Sequence, residues 1–132
     1  MSESPPLLLD TNVVIWTLSA SGRISARARR AMSRPAVSLA VSVVSVWEIV
    51  LKHQAGKLRF QVSLDEVIDQ ILYHSPWTIL PMVPDCLSAL AALPMLHSDP
   101  FDRLLIAQAQ RAGMAILTAD EKIAKYKVRT IW

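Results

Sequence analysis

The most informative segment of this sequence is HSDPFDRLLIAQA, which spans residues 97–109. It is typical of a helix start, with Asp99 at the N-cap and Pro100 at the first helical position, where proline is favoured. The apolar residues that follow leave little of this helix for water. Two carboxylates, those of Asp99 and Asp102, therefore lie in the first turn of a mostly buried helix. A capping box explains both of them, and a functional role is the alternative.

The length and composition predict one domain, over residues 1–132, with a core of its own. Hydrophobic residues make up 52% of the chain, which also predicts a face for a partner or for self-association. Polar and proline residues interrupt every apolar stretch, so we expect no membrane span, and Met1–Pro6 lacks the basic region of a signal peptide. The single cysteine, Cys86, excludes an internal disulfide and a cysteine zinc site, and it fits a reducing cytoplasm.

The formal net charge is +3, and the basic residues are clustered. One cluster is rich in arginine and falls in residues 23–34, and another falls in residues 122–129. This charge permits a nucleic-acid partner without requiring one, because a basic balance first favours non-specific association. Each cluster is either a solvated helix face or a set of phosphate contacts.

Short apolar strands alternate with helices along the chain. The predicted strands cover residues 7–9, 37–41, 77–80, 115–117 and 128–132. The predicted helices cover residues 13–19, 25–33, from Ser42 or Ser45 to near Gly56, 63–73, 84–93 and 100–112, with a last short helix starting at 118–120. This order predicts an α/β fold with a parallel sheet covered on both faces. Ligands of such folds bind beyond the carboxyl ends of the strands, where strand order reverses.

Four acidic residues fall where an acid is unusual: Asp10, Glu48, Asp102 and Asp120. The first ends a buried strand, the third opens a buried helix, and the fourth follows a buried strand; at such points an acid most often caps a helix. Glu48 lies within an apolar helix and caps nothing, although it can pair with Lys52 at i+4 if both are exposed. Because strand ends and helix starts meet at one edge of a parallel sheet, we expect these carboxylates to share a crevice.

Carboxylates that are brought together raise one another's pKa unless a cation lies among them. The chain has one cysteine and three scattered histidines, so the predicted ligand set is all oxygen. Such ligands select Mg²⁺ or Mn²⁺ over Zn²⁺. One or two of these ions are typical of enzymes that activate water for in-line attack on a phosphodiester. The residues therefore indicate a metal-dependent nuclease.

Four motifs of the chain resemble, in order, those of the PIN-domain ribonucleases. They are LDTN at 9–12, WEI at 47–49 followed by Lys52 and by GKL at 56–58, HSDPFDRLLIA at 97–107, and LTAD at 117–120. The similarity is greatest to the VapC-type toxins of bacterial toxin–antitoxin pairs, and it runs nearly the whole chain. It implies a three-layer α/β/α sandwich with a central parallel sheet and Mg²⁺-dependent cleavage of RNA. It also implies a VapB-like antitoxin as partner and a homodimer of the toxin.

The resemblance implies that Asp10, Glu48, Asp102 and Asp120 bind the metal. Asp10 and Asp102 are implied to be direct ligands, and Glu48 and Asp120 to act through water or to hold a second ion. Asp102 rather than Asp99 matches the acid of the family, because it begins the run DRLLIA.

Further residues are predicted to support the carboxylates or to contact substrate. Thr11 and Thr118 are assigned to orienting carboxylates or contacting phosphate. Asn12 is either a similar contact or a helix cap. Arg103 either contacts substrate phosphate or has a structural role such as a bridge to Asp99, and we favour the structural role.

Three other functions are considered. A signalling receiver domain also holds acids around Mg²⁺, but it needs an acidic pair after its first strand, where this chain has only Asp10. A PIN fold kept as a binding module with an idle metal site is the second alternative, and a housekeeping ribonuclease without an antitoxin is the third. A role in catalysis for His97 and Asp99 stays open, since a histidine before a helix is most often a loop residue and metal-activated water needs no histidine base.

Overall fold

The computed structural model describes residues 6–132, and in them one parallel five-stranded sheet. Its strands are β1 (Leu7–Leu9), β2 (Leu39–Ser42), β3 (Thr78–Leu80), β4 (Ala115–Leu117) and β5 (Thr130–Ile131). They lie in the order β3-β2-β1-β4-β5, and each neighbouring pair is parallel. Strand order therefore reverses between β1 and β4, which places the expected ligand crevice beyond the ends of these two strands.

Helices connect all the strands except β4 and β5. They are α1 (Thr11–Leu18), α2 (Ala26–Ser33), α3 (Val43–Gln54), α4 (Leu64–Asp69), α5 (Asp85–Ala92) and α6 (Pro100–Ala112). The predicted helix at 63–73 is α4 followed by a π-helical turn, Gln70–His74, and Ser63 caps it by accepting a bond from the N–H of Glu66 (3.2 Å). None of the helices in residues 6–132 is long and apolar enough to cross a bilayer.

Helices cover both faces of the sheet. Side chains alternate along β1, so Leu7 and Leu9 face one layer and Leu8 faces the other. The first core also holds buried side chains of α1 to α4, and the second holds those of α6 with half-buried side chains of α5. This arrangement confirms the predicted three-layer α/β/α sandwich.

The largest differences between predicted and observed element boundaries are at α1, β2 and β5; the boundaries of the other predicted strands and helices up to α6 differ by at most two residues. α1 begins at Thr11, two residues early, so Asn12 lies inside the helix and the prediction of it as a cap is wrong. β2 starts at Leu39, because Ala36 takes a left-handed φ of 62° and the N–H of Val37 donates to the carbonyl of Arg34 (3.2 Å) in a turn. β5 is shorter than predicted, since the N–H of Val128 donates to the carbonyl of Tyr126 (2.8 Å) in another turn.

The prediction of a short helix beginning at residues 118–120 is wrong, because residues 118–120 are not helical. The Thr118 Oγ1 accepts a hydrogen bond from the N–H of Asp120 (3.0 Å), and the Asp120 Oδ1 accepts one from the N–H of Lys122 (2.8 Å). Such side-chain bonds compete with the helical backbone pattern. The segment therefore forms turns, and a single 3₁₀ turn follows at Ile123–Lys125.

The phenol of Tyr126 holds the loop before α6 in place. Its Oη accepts hydrogen bonds from the N–H groups of Leu96 (3.0 Å) and His97 (2.9 Å) and from the guanidinium of Arg103 (3.0 Å). It donates to the carbonyl of Pro94 (2.8 Å). The buried side chain of Tyr126 thus fixes the loop that contains His97 and leads into α6.

We expect Tyr126→Phe to lower the free energy of unfolding by about 3 kcal/mol, because buried donors lose their acceptor at about 1–3 kcal/mol each. Urea unfolding followed by circular dichroism measures the change. Tyr73→Phe is the matched control, since the Tyr73 side chain is 73% exposed. Equal unfolding free energies for the two variants would contradict the role given to Tyr126.

Candidate metal centre

Asp10 lies directly after β1, at the N-cap position of α1, but its side chain makes no capping bond. Its Oδ2 instead accepts a hydrogen bond from the Oγ1 of Thr118 (2.8 Å), which follows β4. The residue is buried. The bond joins the ends of the two strands between which strand order reverses, and it fixes the direction of the Asp10 carboxylate.

The two acids at the start of α6 have different contacts. Asp99 caps the helix, since its Oδ1 accepts from the N–H groups of Phe101 (2.8 Å) and Asp102 (3.4 Å). The Asp102 carboxylate does not return to the backbone as a capping box would require. Its Oδ2 lies 2.8 Å from the Nε2 of His97. Asp99 therefore holds the helix end, and Asp102 belongs to the crevice.

His97 bridges two of the predicted acids. Its Nε2 lies 2.8 Å from Asp102 Oδ2 and 3.3 Å from Asp120 Oδ2, while its Nδ1 accepts from the N–H of Asp99 (3.3 Å). The bond to Nδ1 assigns the proton of a neutral ring to Nε2, facing the carboxylates. His97 lies in the loop before α6, but its side chain is buried and its ring is held between these carboxylates.

Glu48 is buried inside α3, with 5% of its surface exposed. Its Oε2 pairs with the Nζ of Lys52 (2.9 Å), as the i+4 spacing predicts, although Glu48 is not exposed as that prediction required. Its Oε1 is buried and has no hydrogen-bond partner within residues 6–132. A buried carboxylate oxygen without a partner is costly, and it points to a bound group that satisfies it.

These side chains line one cavity of about 240 Å³ beyond the ends of β1 and β4. Its lining consists of the four predicted acids together with Thr11, Asn12, Lys52, His97, Asp99 and Lys122. The carboxylates that the sequence scatters over more than a hundred residues are therefore brought together at the predicted place.

The crowding of acids changes their protonation. Burial is the main cause that raises the pKa of Asp10 to about 6, with smaller contributions from the charges of Glu48 and Asp120. Burial also raises the pKa of Asp102 to about 7, followed by the negative charge of Asp10. Both carboxyls thus ionise at a higher pH than ordinary aspartates, and a bound cation would favour their ionised form.

The donor set fits a hard divalent cation. Carboxylate oxygens predominate, one of them is buried without a partner, and two of the acids ionise reluctantly. One departure from the expected all-oxygen crevice is the Nε2 of His97, which lies within 4.8 Å of carboxylate oxygens of Asp102 and Asp120. Because this nitrogen carries the ring proton, it donates to the carboxylates and is not itself a metal ligand in this protonation state. The motif HxDPFD was the signal in the sequence, but it did not reveal this contact.

The sequence matches the PIN domain family over residues 7–128. The chain belongs to the PIN domain family. A similar protein is "Ribonuclease VapC22" of Mycobacterium tuberculosis (strain ATCC 25618 / H37Rv), 25% identical over 122 residues that cover 92% of each chain. Among solved structures, VapBC2 from Rickettsia felis bound to a promoter DNA fragment superposes with a TM-score of 0.66 at 15% identity, covering 94% of this chain and 96% of the other. A toxin–antitoxin complex from Klebsiella pneumoniae superposes with a TM-score of 0.64 at 17% identity, covering 96% of both.

The remaining predicted residues of this PIN domain divide into two groups. Thr11 lines the cavity, and its Oγ1 donates to the Oγ of Ser45 (2.9 Å), which ties α1 to α3. Asn12 is exposed at the cavity rim. Thr118 lies behind the cavity and orients Asp10.

Arg103 does not line the cavity. Its Nη1 donates to the carbonyl of Pro94 (2.8 Å) and to the Oη of Tyr126. Neither the predicted contact with substrate phosphate nor the bridge to Asp99 fits this position, because the guanidinium is buried against the loop before α6. The favoured structural role holds, with different partners.

Asp99→Ala should lower the stability of this PIN domain by about 1 kcal/mol, the usual effect of losing a helix cap. The reason is that the Asp99 carboxylate accepts hydrogen bonds from the N–H groups of Phe101 and Asp102, which the variant leaves without this acceptor. Thermal unfolding of wild type and variant measures the change. An unchanged melting temperature for Asp99→Ala would contradict the assignment of Asp99 as a cap.

Proposed function

We propose that this PIN domain is a divalent-metal-dependent endoribonuclease that acts as the toxin of a toxin–antitoxin pair. The observation that carries the proposal is the cavity in which four carboxylates meet, with one buried oxygen of Glu48 lacking a partner. The family and the similarity to a protein named a ribonuclease support the substrate class. The structural relatives found in toxin–antitoxin complexes support the biological role.

In this proposal Asp10 and Asp102 hold a Mg²⁺ or Mn²⁺ ion directly, and Glu48 and Asp120 act through water or hold a second ion. The bound ion would polarise the scissile phosphodiester and activate water. Thr118 keeps one oxygen of Asp10 occupied, so its other oxygen is directed to the cavity. Lys52 compensates the charge of Glu48 on the side away from its unpartnered oxygen.

The proposed partners are RNA, a VapB-like antitoxin and a second copy of the chain. An apolar stripe on α3 is available to the protein partners, since Val43, Trp47 and Leu51 recur at i, i+4 and i+8 and are between 39% and 53% exposed. The ring of Trp47 contacts that of Phe101 edge-on, with centroids 4.9 Å apart. This contact sets the stripe directly beside the start of α6, so a segment covering it also reaches the cavity.

The experiment has two parts. The purified chain should cleave a single-stranded RNA in Mn²⁺ or Mg²⁺ and stop when EDTA is added. Its expression in bacteria should arrest growth. We expect a small VapB-like reading frame directly upstream, and co-expression of its product should restore growth. Cleavage that persists in EDTA would overturn the metal mechanism. An absence of both Mn²⁺ binding and cleavage would favour the idle binding module, and cleavage without growth arrest would favour a housekeeping ribonuclease.

His97 is proposed to position Asp102 and Asp120 rather than to react with substrate. We expect His97→Ala to weaken Mn²⁺ binding by about 10–100-fold, the usual effect of losing a group that orients metal ligands. Calorimetric titration with Mn²⁺ measures this, and His97→Gln should recover part of the affinity because its amide can still donate. His74→Ala is the control, since His74 lies outside the cavity and is 62% exposed. Equal Mn²⁺ affinities for wild type and His97→Ala would rule out this role.

A further inference from the structure

A second cavity, of about 430 Å³, lies on the α2 side of the sheet and is rich in arginine. Its lining consists of Arg27, Arg30, Ala31 and Arg34 from α2 and its end, and Arg129 and Ile131 from the last strand and the turn before it. It shares no lining residue with the acidic cavity. Four arginines thus line one concavity without a carboxylate in its wall.

The arrangement follows from the helix period. Arg27, Arg30 and Arg34 are spaced i, i+3 and i+7, which puts them on one face of α2. Ala28 and Ala31 are buried, and they let α2 pack close against the sheet.

Arg129 comes from the other wall of the concavity. Its carbonyl accepts a hydrogen bond from the N–H of Ile116 (2.8 Å), so its backbone is fixed beside β4. Two of the four arginines thus lie within α2, and the other two lie directly after α2 and directly before β5.

Three arginines outside this cavity have side-chain partners within the described residues. Arg103 is bound to Pro94 and Tyr126, Arg111 pairs with Asp85 (3.1 Å), and the Arg23 guanidinium stacks over Trp16 (5.9 Å to the ring centroid). Within residues 6–132 no carboxylate pairs with any of the four arginines of the second cavity. Like charges gathered this closely are stabilised by an anion, and planar guanidinium groups match phosphate oxygens.

We infer that this arginine cavity binds phosphate groups of the RNA substrate, away from the site of cleavage; the inference rests on the proposed function. The acidic cavity by itself repels the phosphates of RNA, because it contains five carboxylates and only two cations, Lys52 and Lys122. Even with one divalent ion it holds more negative than positive charge when the carboxylates are ionised. The attraction that brings a polyanion to this protein must therefore come from elsewhere on its surface.

The two cavities lie at opposite ends of a thin sheet. The acids follow the carboxyl ends of β1 and β4, whereas Arg129 precedes the amino end of β5, which is parallel to them. A strand of three residues is about 10 Å long, and Ile131, which also lines the arginine cavity, pairs with Leu117 at the carboxyl end of β4. We therefore expect one RNA chain of several nucleotides to contact both cavities.

The test compares two double variants in an Asp102→Asn background, which prevents cleavage during the measurement. Arg30→Ala with Arg129→Ala removes two cations of the cavity, and Arg29→Ala with Arg59→Ala removes two exposed cations outside it. Binding of a fluorescein-labelled single-stranded 20-mer RNA is followed by anisotropy at several salt concentrations. The cavity variant should bind at least about fivefold more weakly at low salt. Its slope of log affinity against log salt should be shallower by about 1.4, since each lost phosphate contact on a single strand contributes about 0.7.

The control variant should keep the slope and the affinity of the background protein. Equal losses in both double variants would overturn the inference, because they would show only a general charge effect. Titration with inorganic phosphate and with an oligoglutamate peptide separates other ligands. If the cavity variant lost affinity for either of these while RNA binding stayed unchanged, the cavity would serve a free phosphate or an acidic protein segment, and the inference would be wrong. If the background protein bound no RNA at all, the proposed function itself would fail.

Discussion

Asp102→Asn should reduce RNA cleavage by about a thousandfold or more while leaving the protein folded. In the proposed function Asp102 is a direct metal ligand, and its loss would remove several kcal/mol of transition-state stabilisation by the metal; each 1.4 kcal/mol is about tenfold in rate. The amide has the shape of the carboxylate and can still accept a hydrogen bond from the Nε2 of His97, which lies 2.8 Å from the Asp102 Oδ2. The loss should therefore appear in the rate and in Mn²⁺ binding rather than in folding.

Asp102→Asn is also expected to raise the stability of the metal-free protein, although it lowers RNA cleavage. Burial raises the pKa of the Asp102 carboxyl to about 7, so at pH 8 the folded chain carries a charge that its surroundings disfavour. A neutral side chain avoids this, and Asp102→Asn should melt at a higher temperature than wild type at pH 8 in EDTA. Glu121→Gln is the matched control, since Glu121 is exposed, follows Asp120 and does not line the cavity. A lower melting temperature for Asp102→Asn than for Glu121→Gln would contradict the electrostatic account.

The stability of the metal-free protein should fall as the pH rises from about 4 to about 7. An aspartate has an ordinary pKa of 3.8, whereas that of Asp10 is about 6 and that of Asp102 about 7 in the folded chain. Both carboxyls therefore bind protons more tightly in the folded than in the unfolded chain. Below pH 3.8, where both states are protonated, this difference makes its full contribution to the free energy of unfolding. It is lost progressively as the pH passes through the folded pKa values, because the unfolded chain releases its protons first.

Mn²⁺ should reverse this trend. Metal binding requires ionised carboxylates, so the gain in melting temperature should be larger at pH 8 than at pH 5. At a free concentration one hundred times the dissociation constant, the ion stabilises the folded state by about 2.7 kcal/mol. Differential scanning calorimetry in EDTA and in Mn²⁺ measures both trends, with sodium chloride of equal ionic strength as the control. A gain in melting temperature that does not depend on pH would contradict the role of Asp10 and Asp102 in holding the ion.

Much of the fold was predictable because it depends on local patterns. Short apolar strands alternating with helices predicted the parallel sheet, and the rule for strand ends placed Asp10 and Asp120 in one crevice. The helix cap at Asp99 was predictable from the residues that follow it. The same locality explains the errors, since a left-handed residue at Ala36 and the side-chain bonds of Thr118 moved element boundaries by a few residues.

The contacts that the sequence could not predict join residues far apart in the chain. His97 meets Asp120 across 23 positions, and Arg103 meets Tyr126 across another 23. Neither sequence separation matches a helix or strand period. Both contacts depend on the packing of the segment around α6 against the turns at residues 118–126. The environment of Glu48 was predictable only in part. Its pairing with Lys52 follows the helix period, but its burial depends on α6 lying beside α3.

The hydrogen bond between Thr118 and Asp10 spans 108 residues. A ribosome adds about 5–20 residues per second, so Thr118 is synthesised roughly 5–20 s after Asp10. β1 meanwhile lacks β4, the neighbour on one of its two sides. Nascent chains of about 102 to 115 residues thus contain Asp10, Glu48 and Asp102 but have no assembled crevice. The cleft becomes complete only after β4, Thr118 and Asp120 have been synthesised, which delays the onset of any activity until β4 can join the sheet.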